Sequence, residues 1–104
     1  MFTFVETQRF TRLVKEYLSD DEYAATQNQL IANPDAGSVV PGSGGVRKLR
    51  VAAGGKGKRG GYRVIYFVRR PKGLIWMLTI YPKSATDSIP AHALRKVREE
   101  IENG

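Results

Sequence analysis

The sequence predicts an α+β fold in the order β-α-α-β-β-β-α, an antiparallel sheet packed on an N-terminal helical hairpin with a C-terminal helix. Three observations carry this. A helix-period apolar pattern runs through residues 10–18, a capping box follows it at once, and three apolar strand-like runs lie after residue 45. With 104 residues, 41% of them hydrophobic, the chain fits a single domain, 1–104, with one modest core.

Phe2, Phe4 and Val5 mark a short first strand. Phe10, Leu13, Val14, Tyr17 and Leu18 then fall at the i, i+3, i+4, i+7 and i+8 positions of an amphipathic helix. Ser19-Asp20-Asp21-Glu22 is a capping box: Ser19 caps the next helix and Glu22 reaches back to it. Tyr23, Gln27, Leu30 and Ile31 form the expected buried stripe of that second helix. Asn33-Pro34 ends it, because a proline disfavours helical geometry in the residue before it. Asp35 to Gly45, rich in Gly, Ser and Pro, reads as a loop.

Val46 to Ala52 reads as a strand, with Leu49 and Val51 on one face and Lys48 and Arg50 on the other. Tyr62 to Val68 is a stronger strand, rich in β-branched and aromatic residues. Arg70-Pro71-Lys72-Gly73 is a turn. Leu74 to Tyr81 is apolar on both faces, which predicts a central or well-covered strand. The three strands read as an antiparallel meander. Leu94, Val97 and Ile101 mark the C-terminal helix, with Pro90 in its first turn. Trp76 reads as core or as a partner-facing surface, and His92 as a solvated helix residue.

Seventeen Lys and Arg stand against ten Asp and Glu, a formal charge of +7. The cations recur between hydrophobic residues from Arg9 to Arg98, so the charge is displayed on a fold rather than on a tail. Such a surplus favours nucleic acid, the ribosome, an acidic partner protein or anionic lipid. The absence of cysteine excludes disulfides, thiol catalysis and thiolate metal sites. His92 is the only histidine and the carboxylates do not cluster at ligand spacing, so neither a metal nor another cofactor is expected. The apolar start at residues 1–6 is too short for a signal peptide. No apolar run approaches the ~20 residues of a membrane span. The expected location is the cytoplasm.

The most informative stretch is Gly54-Gly55-Lys56-Gly57-Lys58-Arg59-Gly60-Gly61-Tyr62-Arg63-Val64-Ile65-Tyr66. Its glycines let the backbone approach a partner closely. Lys56, Lys58, Arg59 and Arg63 set four cations within eight residues, a pattern suited to a polyanion such as an RNA backbone. It is not a phosphate-binding P-loop: Gly57-Lys58 is followed by Arg59 instead of Ser or Thr, and no helical pattern comes next.

Together with Tyr17-Leu18-Ser19-Asp20-Asp21-Glu22-Tyr23, Asn33-Pro34, Gly44-Gly45-Val46-Arg47-Lys48-Leu49-Arg50-Val51-Ala52 and Leu78-Thr79-Ile80-Tyr81-Pro82-Lys83, this stretch resembles the RelE/ParE superfamily of bacterial toxins. The resemblance is strongest to HigB-type members of the RelE branch, and the run from Gly44 to Tyr66 is its specific part. It implies a RelE-like fold and an mRNA interferase: an endoribonuclease that enters the ribosomal A site, cuts the message and so inhibits translation. It also implies a cognate antitoxin, of helix-turn-helix, HigA type, through which alone operator DNA would be bound. Two positions depart from the pattern. Ser84 follows Lys83 where many members carry an arginine, and Ser88-Ile89-Pro90 stands where many carry a tyrosine.

Metal-free RNA cleavage by 2′-hydroxyl attack needs a base, cations for the developing charge and an acid for the leaving oxygen. A lysine crowded by other cations has its charged form disfavoured, which makes Lys56 or Lys58, beside Arg59 and Arg63, the candidate base. Arg63 is the candidate for stabilising charge at the scissile phosphate, since its planar fork matches phosphate oxygens. Lys83 is a candidate for orienting or protonating the leaving group. Fixed cations aimed at developing charge are often the largest catalytic contribution. Lys48 and Arg50 are candidates for holding RNA backbone, and Tyr62, Tyr66 and Tyr81 for stacking on bases. Two other functions stay open: a non-catalytic, ParE-like inhibitor of DNA gyrase and a plain RNA-binding module.

Overall fold

A computed structural model describes residues 1–52, 61–85 and 89–103. Among them run β1 (Thr3–Glu6), α1 (Gln8–Tyr17), α2 (Asp20–Ala32), β2 (Ser38–Val39), β3 (Arg47–Val51), β4 (Tyr62–Arg69), β5 (Leu74–Pro82) and α3 (Ala91–Asn103), with a 3-10 turn at Arg70–Lys72. The sheet order is β1-β5-β4-β3-β2. The expected meander is present: β3, β4 and β5 pair antiparallel. Two details go beyond the sequence reading. The 35–45 loop contributes the two-residue strand β2, paired with β3, and β1 lies parallel to β5.

The hairpin forms for local reasons, of which the Ser19–Glu22 capping box and the stop at Asn33 were expected. Thr7 caps α1, its hydroxyl accepting from the Phe10 N–H at 3.1 Å and donating to the Leu78 carbonyl at 2.8 Å. At α2 the Ser19 hydroxyl accepts from the Glu22 N–H at 3.1 Å, and the Glu22 carboxylate accepts from the Ser19 N–H at 2.8 Å. Asn33 ends α2 with its N–H on the Gln29 carbonyl. The buried stripe of α2 differs from expectation. Thr26 and Leu30 are its buried residues, and Ile31 is 47% exposed. Thr26 tolerates burial because its hydroxyl donates to the Glu22 carbonyl one turn back.

The sheet separates two apolar clusters. On the hairpin side Phe10, Val14 and Leu30 pack against Val64, Tyr66 and Met77. On the other side Leu94 of α3 packs against Val46, Ile65, Phe67 and Leu78. This explains why β5 is apolar on both faces: β1 and β4 flank it, and helices cover both sides. Complete burial of a side chain such as Phe10 contributes about 1.5–3 kcal/mol.

One irregularity decides which β5 residues face which cluster. Ile65 pairs with Thr79, but the next residue, Tyr66, pairs with Met77. Leu78 is therefore an extra residue in β5, a β-bulge. Before it, Ile75 and Met77 face the hairpin; after it, Ile80 does, and Tyr81 joins Trp76 and Leu78 on the α3 side. The Leu78 carbonyl receives the Thr7 hydroxyl, so the residue that caps α1 also satisfies the bulge.

Candidate functional site

The register of the meander places Arg50 of β3 opposite Arg63 of β4, and Arg63 opposite Tyr81 of β5. The three form one row across the α3 side of the sheet. Like charges directly opposite each other destabilise an antiparallel pair. One Arg63 N–H donates to the Tyr62 carbonyl at 3.2 Å, which draws the guanidinium along its own strand. Tyr81 is partly buried. Its burial pushes the hydroxyl pKa above the ordinary value, while the nearby Arg63 charge pulls it the other way.

Beside this row lies a cleft of about 240 Å³. Lys48, Ile65 and Tyr81 form its floor, and Ile89, Pro90 and Ala91, at the start of α3, form a wall. Lys48 is exposed and pairs with Ile65, so it shares the face of Arg50 and Arg63. The alternation read from the sequence for Lys48 and Arg50 against Leu49 and Val51 is what the sheet shows.

Lys83 comes to the same end. Its backbone N–H donates to the Gly61 carbonyl at 3.0 Å, extending the β4–β5 pairing by one step. Gly61 has φ +63°, and a Cβ there would collide with the Val51 carbonyl. Only glycine lets the chain enter β4 so close to the end of β3. Lys56, Lys58 and Arg59 lie outside the described residues. The residues that flank them, Ala52 and Gly61, stand at the end of the β3–β4 hairpin, next to the backbone of Lys83.

Two of the tyrosines read as base-stacking candidates lie buried on the hairpin side. Tyr66 is fully buried on the hairpin side; its hydroxyl donates to the Pro34 carbonyl at 2.8 Å and accepts from the Gly37 N–H at 2.9 Å. Burial raises its pKa above the ordinary value. Tyr62 is buried against Tyr17, ring centroids 4.8 Å apart. The reason is the period of the strand: residues 62, 64 and 66 face the hairpin, and Arg63 and Ile65 face the other way. Of the three tyrosines, Tyr81 alone faces the cleft.

Some of the positive charge is used within the fold. Arg47 lies 3.2 Å from the Asp35 carboxylate and donates to the Gly37 carbonyl at 2.7 Å, and Arg70 pairs with the same carboxylate. These two cations hold the 35–37 turn, away from the cleft. Arg47 lies on the face of Leu49 and Val51, opposite that of Lys48 and Arg50, and Arg70 lies in the turn between β4 and β5.

Residues 3–102 match the family model described as the RelE toxin of the RelE / RelB toxin-antitoxin system. Among solved structures, the chain is similar to the E. coli toxin RelE, determined as a double arginine-to-alanine mutant in the free state. The TM-score is 0.63 at 15% identity, covering 93% of this chain and 96% of that one. At that identity the likeness is one of fold.

Proposed function

The chain belongs to the RelE toxin family, the toxin side of a toxin–antitoxin pair, and on that premise we propose that it is a ribosome-dependent endoribonuclease that cuts mRNA in the A site. The observation that carries this reading is the row Arg50–Arg63–Tyr81 beside the cleft, with Lys83 at its end. Two arginines paired across neighbouring strands set positive charge where a sugar-phosphate backbone could lie. An aromatic ring next to them supplies a surface for a base.

In the proposed reaction the message lies along the row, with the scissile phosphate held by Arg63. Lys56 or Lys58 takes the proton of the 2′-hydroxyl. The 2′ oxygen attacks phosphorus, the bond to the 5′ oxygen breaks, and a 2′,3′-cyclic phosphate remains. A lysine, for which Lys83 is the candidate, returns a proton to the leaving 5′ oxygen. Arg63 stays charged throughout and stabilises the extra negative charge on the phosphoryl oxygens, a contribution of about 2.7–4 kcal/mol for one well-placed donor. Lys48 and Arg50 hold flanking backbone, and Tyr81 stacks on a base. Protein groups supply every step.

The finer family reading is the HigB type, supported by the Gly44–Tyr66 motif. With it come a helix-turn-helix antitoxin of HigA type and a site of action on the cytoplasmic ribosome. Among the described residues, no helix is long and apolar enough to cross a membrane.

The test is induced expression of the wild type beside Arg63→Ala, with growth followed and message 5′ ends mapped. Growth arrest with translated messages cut by the wild type, and neither effect from a folded Arg63→Ala, is the expected result. Arrest by both proteins with messages intact would overturn it in favour of a gyrase-type inhibitor. RNA binding without arrest would favour a plain RNA-binding module.

A further inference from the structure

Arg69 is the last residue of β4, six positions along the strand from Arg63 and away from the cleft. Its guanidinium donates to the Ile101 and Glu102 carbonyls of α3, each at 3.0 Å. The final turn of a helix leaves its carbonyls without helical partners, and the helix dipole favours a cation there. One side chain thus satisfies two of these groups and ties the end of α3 to the sheet.

The apolar contacts of the helix are few. Leu94 is its one buried residue, and Val97 is 37% exposed. Ile101, partly buried, packs against the same cluster as Leu94, and on its other flank α3 meets the glycine turn before β3. The Arg98 guanidinium lies over Gly44, where a Cβ would come within 2.6 Å of it, and Ala91 faces Gly42. Yet the start of the same helix, with Ile89 and Pro90, is the wall of the cleft. A helix of this length is a stiff rod of roughly 18 Å, so holding one end sets the other.

We propose that Arg69 is a positioning residue for the cleft: by fixing the last turn of α3 to the far end of β4, it sets where Pro90 and Ala91 stand over Tyr81 and Lys48. The inference deepens the RNA reading and rests on it only for the binding measurement below.

The variants are Arg69→Met, which keeps the apolar stem but donates no hydrogen bond, and Arg69→Lys, which can reach one carbonyl. NMR on the purified toxin supplies three readouts: amide exchange along α3, the Ala91 amide resonance and the Tyr81 ring resonances. Trp76, the sole tryptophan, lines the groove with Arg69, Val97 and Ile101, and its emission reports undocking of the helix. In Arg69→Met, α3 amides are expected to exchange about tenfold faster while those of β4 and β5 keep their protection. Ala91 and Tyr81 should shift although neither touches Arg69, and Arg69→Lys should restore part of the wild-type spectrum. Binding of a short single-stranded RNA, made uncleavable by 2′-deoxy sugars, should weaken a few-fold.

Unchanged Ala91 and Tyr81 resonances in Arg69→Met would overturn the proposal, as would shifted resonances with unchanged RNA binding. If the wild type has no RNA affinity, the RNA reading falls, and the Tyr81 and Ala91 shifts still decide the role of Arg69. If Arg69→Met does not fold, Arg69→Lys carries the test. The same shifts at smaller amplitude support the proposal, and a wild-type spectrum overturns it.

Discussion

The two faces of the central strands have opposite characters although the same residues supply both. On the hairpin side Tyr66 is sealed under Phe10 and Leu30, with both hydrogen-bonding capacities of its hydroxyl used inside the protein. On the α3 side Arg63, three residues earlier in β4, sits in a row with Arg50 and Tyr81 at the rim of a cleft. One helical hairpin covers the first face. A single helix with one buried residue covers part of the second. A strand can build a core and a site at once because its side chains alternate, and whichever face is thinly covered can take a ligand.

The largest effect that would break this contrast is on the sealed face. Tyr66→Ala is expected to cost about 3–5 kcal/mol of stability by urea unfolding, as for other fully buried aromatics. A loss under about 1 kcal/mol would mean that Tyr66 is not core.

Arg63→Ala should do the reverse. Message cleavage on programmed ribosomes is expected to fall about 10²–10³-fold, with stability within about 0.5 kcal/mol of wild type. Equal losses of stability and activity would erase the distinction between the faces.

Tyr81→Ala sharpens it further. RNA binding should weaken by about 1–3 kcal/mol if the ring stacks on a base. Tyr81→Phe should bind close to wild type, because stacking uses the ring and not the hydroxyl. A deficit shared by both variants would assign the role to the hydroxyl instead.

The smallest effect is alkaline. Tyr66 and Tyr23 have folded pKa values above the ordinary 10.0, through burial first and, for Tyr23, through the hydroxyl's hydrogen bond to Glu6 as well. A group that binds its proton more tightly when folded contributes stability that is complete below its unfolded pKa and lost as pH rises through the folded one. Urea midpoints should therefore be unaffected by these two groups below about pH 9 and fall above pH 10. Tyrosinate absorbance should rise with unfolding, and Tyr23→Phe should reduce the alkaline loss. A midpoint that rises above pH 10 would contradict the raised pKa of both hydroxyls.

Much of the fold was legible because its signals are local. The Ser19–Glu22 capping box, the Asn33-Pro34 stop, and the alternation of Leu49 and Val51 against Lys48 and Arg50 each need only a few neighbouring residues. Thr26 was not legible, since its burial depends on a hydrogen bond to its own helix. Nor was β2, a strand of two residues in a loop of Gly, Ser and Pro. At the candidate site, Arg63 and Lys83 stand out in the sequence, but which tyrosine shares their face of the sheet does not. Tyr62, Tyr66 and Tyr81 look alike as aromatic residues in strands. Their separation depends on the parity of two strands, and one strand has an interruption with no sequence mark.

That interruption acts as a phase shift. Without Leu78 as an extra residue, strict alternation along β5 would turn Tyr81 into the hairpin core and Ile80 toward the cleft. Substitutions in β5 can then be judged position by position, whereas inserting one further residue between Leu78 and Tyr81 exchanges the inside and outside of everything on one side of the insertion. The length of this segment, as much as its composition, is heritable information about the site. A hydroxyl on the far edge of the sheet, that of Thr7, holds the bookmark.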